Sequence, residues 1–239
     1  MQGGYISLRE VECRRNTLGA NLVKNLMDTH ISHKSPTNLE GIRVLEADPR
    51  MRGIINSVGE ISPEPHGISM FEALVNSIIS QQISKSAAST IKNRFVEFYP
   101  QKRFPTPLDV LSTPPQDLRK VGLSNAKTTY IQGLAQSDIN GFVPTLESCA
   151  LLDDSQIIDL LTQLRGIGVW SAQMILIFNL ARPDIFPASD RGILRAFGLI
   201  YLDGAMPTPS EALDYSTHWQ PYRSLASRYL WQSLNSGIV

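Results

Sequence analysis

Residues 164–174 read LRGIGVWSAQM, two glycines two apart inside an apolar run. Glycine costs a helix interior about 1 kcal/mol relative to alanine, so a helix that begins here needs these glycines for something else. Upstream, LLDDSQIIDLLTQL repeats apolar residues at helical spacing, and downstream VWSAQMILIFNLA continues as a second helix. RGIG is then a tight hairpin between two helices, with Gly166 and Gly168 supplying positive φ or close backbone approach. The first backbone N–H groups of the second helix lack partners within it and sit at the positive end of its dipole, the geometry that receives a phosphate oxygen. A plain helix–helix turn with glycines for close packing would read the same way, and three other stretches bear on the choice.

Pro183 and Pro187 stop the helix that follows the hairpin, and DRGILRAFGLIY begins another with Ser189 or Asp190 at its start. Asp190 lies 22 residues beyond Gly168; it is a cap that could also face whatever the hairpin holds. In SIISQQISKSAAS, Gln81 and Gln82 follow an apolar helix with Phe71, Leu74, Val75, Ile78 and Ile79 on one face. Long amides between helices can enter a duplex gap or bond base edges, or be ordinary surface. Near the C-terminus HWQPYRSLASRYLW places Trp219, Tyr222, Tyr229 and Trp231 at helical spacing, as core or as a stacking platform for a flipped base.

The remaining chain reads all-α. Asp48 caps a helix with Pro49 at its first position, TPLDVLSTPPQDLRKVGLSNAKTTYIQGLAQ gives short helices divided by Pro and Gly, and no sustained alternation or hairpin signal marks strands. Residues 1–40 form an N-terminal extension with one helix expected around Leu18–Met27; His30 and His33 could share a helix face, but no third ligand is near and the pair reads as incidental. The 239 residues are 42% hydrophobic and 18% charged, ordinary for a globular protein, with no run that could span a bilayer. No basic segment leads into an apolar core at the N-terminus, and Cys13 and Cys149 are expected to stay reduced, which together read as an intracellular protein, of bacterial cytoplasm or a eukaryotic nucleus. Net charge is zero, yet residues 81–130 carry eight basic side chains against three acidic ones, a local basic face or a solvated helical surface.

LRGIGVWSAQM, FPASDRGILRAFG, SIISQQISKSAA and the W-x-P-Y-R-S run, in their order along the chain, resemble the helix-hairpin-helix family of DNA base-excision glycosylases, and within it the 3-methyladenine DNA glycosylase II branch. The resemblance runs from Leu45 to Trp231. It implies two helical subdomains with the active site in the cleft between them: residues 65–183 as a helical barrel carrying the hairpin, and 41–64 with 184–239 as a discontinuous second unit. It implies Asp190 as catalytic carboxylate, and Gly166, Ile167, Gly168, Trp170, Ser171, Gln81, Gln82 and Ser84 at the DNA, with Gln82 as the wedge into the space left by a flipped nucleotide. Trp231, Met174 and Phe71 would line the base pocket, and the carbonyls of Thr162, Leu164 and Ile167 would be available to a sodium or potassium ion bridging to the DNA backbone.

Trp170 stands where the bifunctional branch has a Schiff-base lysine, and two cysteines cannot hold the four-cysteine iron–sulfur cluster of that branch. The implied enzyme is a monofunctional, monomeric glycosylase that needs no cofactor and removes alkylated purines from double-stranded DNA without lyase cleavage. The chain is expected to be a compact version without the N-terminal β-rich domain of longer members, and it has Met174 where some relatives have a pocket tyrosine and a polar wedge where others have leucine. A damaged-DNA binder without catalysis, a glycosylase for oxidised or mismatched bases, and a helical interaction module with no DNA role are the alternatives.

Overall fold

The computed structural model describes residues 38–61, 67–100 and 103–239, and every regular element among them is helical. The expected helix at 18–27, the His30/His33 pair and Cys13 lie outside the described residues. One compact unit holds Ile68–Ile167; the other is discontinuous and joins the described residues up to Gly67 to Gly168–Val239. The division falls inside the hairpin, which puts residues 168–183 in the second unit, whereas the sequence groups them with the barrel.

The discontinuous unit begins with α1 (Asn38–Leu45) and α2 (Pro49–Val58). Asp48 caps α2, its side chain accepting from the backbone N–H groups of Arg50 and Met51, and Pro49 takes the first position as expected.

In the continuous unit, α3 (Met70–Ser80) buries Leu74, Val75, Ile78 and Ile79 completely, and α4 is Lys85–Glu97. The short α5 (Pro107–Ser112) and α6 (Pro115–Lys120) lead to α7 (Asn125–Ile139), which packs against α3, α5 and α6. α8 (Leu146–Cys149) and α9 (Asp154–Thr162) complete the unit, Cys149 being buried. Side-chain oxygens of Ser69, Ser84, Thr106, Ser124, Thr145 and Asp153 seal the starts of α3, α4, α5, α7, α8 and α9.

After the hairpin the second unit resumes with α10 (Val169–Phe178), α11 (Arg191–Tyr201), α12 (Pro209–Ser216), a turn of 3-10 helix at Thr217–Trp219, and α13 (Arg223–Asn235). α13 is central and packs on α2 and α11 around Met51, Ile193, Phe197, Tyr229 and Leu230. Trp219 and Tyr229 are fully buried, so this part of the aromatic run is core. Asp48 also ties the ends of the unit together, its Oδ2 accepting from Tyr201 OH at 2.7 Å, Tyr215 OH at 3.2 Å and Trp219 Nε1 at 3.3 Å. Burial pushes the Asp48 carboxyl up, and the hydrogen bonds from Tyr201, Met51, Arg50 and Trp219 together outweigh it and hold the group below its ordinary value. No helix among the described residues is long and apolar enough to cross a membrane.

Candidate active site

The FPASD segment turns the chain so that Asp190 becomes the N-cap of α11, with its own N–H donating to Pro187 O at 2.8 Å. As a cap, Asp190 Oδ1 accepts from Ile193 N at 2.9 Å. The same oxygen accepts from Trp231 Nε1 at 2.9 Å, and Oδ2 accepts from Trp170 Nε1 at 2.7 Å. Two indoles, one from the first turn of α10 and one from α13, thus converge on one half-buried carboxylate. A carboxylate fixed by three N–H donors keeps its orientation, and bonds to an ionised acceptor are about twice as strong as neutral ones.

The surrounding residues hold this arrangement. Phe178, at the end of α10, stacks on Trp231 with ring centroids 5.7 Å apart and planes at 29°. The Arg228 guanidinium lies 4.8 Å from the Phe178 centroid while Nη2 donates to Ile177 O at 3.0 Å, and burial pulls its pKa down. Gly192 leaves the room that the carboxylate–indole bond requires: a Cβ there would stand 3.0 Å from Asp190 Oδ1 and 3.3 Å from Trp231 Cδ1. Phe178, Arg228 and Gly192 escaped the sequence reading. Only Gly192 carried a local signal, as a glycine in the first turn of a helix two residues after the candidate carboxylate.

The hairpin glycines differ from one another. Gly166 has φ +94° and a Cβ there would fall 2.7 Å from the Tyr130 ring, so it meets both expectations. Gly168 meets neither within this chain: its φ of −99° is ordinary extended backbone and a Cβ would touch nothing. It starts α10 without a side-chain cap, in contrast to every described helix of the preceding unit except α6.

Of the other expected DNA-contacting residues, Ser171 is buried at 3% exposure, and the Ile167 N–H already donates to Leu164 O at 3.0 Å across the turn. Ser84 Oγ caps α4 through Ala87 N at 3.2 Å. Gln81 turns inward, Nε2 donating to Gly166 O at 2.8 Å, whereas Gln82 is exposed with φ +56°. Lys127, counted above in the basic stretch, also turns inward onto the carbonyls of Ile79 and Gln81. Met174 is half-buried one turn after Trp170. Phe71, in the continuous unit, is 6% exposed and packs edge-on against Phe104 beside a cavity of about 420 Å³.

Thr162 closes α9, and the carbonyls of Leu164 and Ile167 belong to the tight turn after it. Neutral oxygens of this kind are the donor set of a hard cation. Among the described residues no group of three His, Cys, Asp or Glu side chains could hold a metal ion.

A helical hairpin followed by a triply bonded helix-cap aspartate defines the class. The chain belongs to the HhH-GPD superfamily of base excision DNA repair proteins, whose profile matches residues 75–221. It is similar to DNA-3-methyladenine glycosylase 1 of Schizosaccharomyces pombe, 31% identical over 207 residues that cover 84% of this chain and 86% of that protein. The alkylbase DNA glycosidase-like protein mag2 of the same yeast is 27% identical over 187 residues, covering 77% of this chain and 88% of mag2. The solved structure of the S. pombe 3-methyladenine DNA glycosylase in complex with abasic DNA superposes with a TM-score of 0.77 at 30% identity, over 82% of this chain and 97% of that one.

Proposed function

We propose that the protein is a monofunctional DNA glycosylase that excises alkylated purines from double-stranded DNA, with Asp190 as its catalytic carboxylate. The observation that carries this reading is the convergence of Trp170 Nε1, Trp231 Nε1 and Ile193 N on Asp190. Purines alkylated at N3 or N7, such as 3-methyladenine and 7-methylguanine, carry a positive charge. When the C1′–N bond breaks, its electron pair leaves with the base and cancels that charge, so no strong general acid is required. The sugar becomes an oxocarbenium ion, and the fixed Asp190 carboxylate stabilises that developing charge. Water then adds to C1′ and loses a proton to solvent, leaving free base and an abasic site. With three donors on it, Asp190 acts by field more than by taking the proton of water.

Flipping is cheapest for a base whose pairing is already weakened, which supplies part of the selectivity. Trp231 provides an aromatic face for a cationic base, an attraction worth roughly 0.5–2 kcal/mol, and ethenoadenine is a neutral purine of the same shape class. Gly168 and the uncapped start of α10 would receive a DNA phosphate, and the Thr162, Leu164 and Ile167 carbonyls would hold a sodium or potassium ion that adds positive charge beside it. Gln82, exposed in its turn, would fill the vacated space in the duplex. Such a protein works inside the cell, where the DNA is.

The test is release of bases from methylated duplex DNA, resolved by base identity, for wild type beside Asp190→Asn. Asparagine keeps the shape but not the charge, so release is expected from wild type alone, with duplex affinity nearly equal in both. Release by neither protein, with an abasic duplex still bound, would overturn the catalytic reading in favour of lesion binding.

A further inference from the structure

Gln82 is an exposed, non-glycine residue at φ +56°, a conformation that costs an L-residue roughly 1–2 kcal/mol and persists only where its surroundings impose it. Its surroundings do so from two sides. Lys127 Nζ donates to Ile79 O and to Gln81 O, each at 2.8 Å, placing a cation on the negative end of α3 just before Gln82. Burial lowers the Lys127 pKa, so this ammonium is drawn out of water into that position. The Gln81 side chain then reaches 85 residues along the chain, its Nε2 donating to Gly166 O at 2.8 Å.

The hairpin end of this bond is held independently. Gly166 lies so close to Tyr130 that a Cβ would meet the ring at 2.7 Å, and the Arg165 guanidinium sits 5.7 Å from the same ring centroid. Tyr130 and Lys127 are three residues apart on α7, hence on one face. One face of α7 therefore supports both turns, and Gln81 joins the turns directly. The triangle closes within a single unit.

We infer that Gln81 and Lys127 are positioning residues that lock the Gln82 turn to the hairpin turn, so that both meet a damaged duplex already ordered relative to each other. This rests on the glycosylase reading above. Ordering a loop during binding opposes the bound state, and a preformed geometry avoids that cost. A brace that merely stabilised the unit would not care whether Gln82 carries a side chain.

The test is a double-mutant cycle on the full chain, read by single-turnover base release from methylated duplex and by affinity for a duplex carrying an abasic site. Gln81→Leu removes the donor at similar size and is expected to slow release about 5- to 10-fold, the scale of one lost hydrogen bond. In a Gln82→Ala background the same substitution should change release and abasic-site affinity less than twofold. Lys127→Met should repeat this pattern, and Lys127→Arg, which keeps a donor cation, should retain most of the rate. No slowing by Gln81→Leu, or equal slowing with and without the Gln82 side chain, would overturn the inference. An inactive wild type would instead count against the glycosylase reading, and the abasic-site cycle would still decide the brace.

Discussion

Gly192→Ala separates the requirements of the fold from those of the site. Gly192 is the second residue of α11 and its φ is not in the left-handed region, so alanine is conformationally acceptable there and favoured by roughly 0.5–1 kcal/mol on helix propensity. The new methyl, however, would lie 3.0 Å from Asp190 Oδ1 and 3.3 Å from Trp231 Cδ1, both tighter than ordinary contact. One of the two must yield by a few tenths of an ångström, and the 2.9 Å bond between them is what gives way. A hydrogen bond to a charged group is worth about 1.5–3 kcal/mol, so loss of its positioning effect should slow base release about 10- to 100-fold. Thermal unfolding should move by only a few degrees in either direction. The pair of assays is single-turnover release and a calorimetric melt; full activity in the variant, or a loss of stability large enough to account for the loss of rate, would refute the reasoning.

Gly166→Ala must adopt φ +94° and force a Cβ against Tyr130, so it should lose about 2 kcal/mol or more of stability by chemical denaturation, and duplex affinity with it. Asp48→Ala removes a helix cap and leaves Tyr201, Tyr215 and Trp219 donors without their acceptor, an expected loss of about 2–4 kcal/mol at neutral pH. Because burial of Asp48 is outweighed by those hydrogen bonds and its folded pKa is depressed, its contribution is present above the unfolded value of about 3.9 and is lost as pH falls through the folded one. Melting profiles should therefore show wild type and Asp48→Ala converging on acidification below about pH 4; a constant gap would contradict the assignment.

Features set by local chemistry were legible in the sequence. The hairpin glycines marked the end of α9 and Pro183 and Pro187 the break between α10 and α11, Asp48 and Asp190 were readable as caps, and the apolar spacing placed α3. What was not legible is who partners whom across the chain. Trp170 and Trp231 stand 20 and 41 residues from Asp190, and nothing in their neighbours announces a shared acceptor. An amide or an ammonium shows that it can donate, not in which direction, so Gln81 reads as a duplex contact or as surface and Lys127 as part of a basic face or a solvated helix, although both turn inward. Phe71 is ambiguous for a related reason: a buried aromatic on an apolar helix looks the same in sequence whether it lines a site or fills a core.

The two glycines of RGIG also come under different selection. At 166 the folded chain itself rejects a side chain, through a strained φ and a ring in the way. At 168 the backbone is extended and the space beside Cα is open, so a variant library screened for folding or expression would accept almost any residue there. Screened for retention on damaged duplex, the same library should collapse back to glycine. A position that is silent in stability data and narrow in binding data shows where the chain's tolerance is set by its partner.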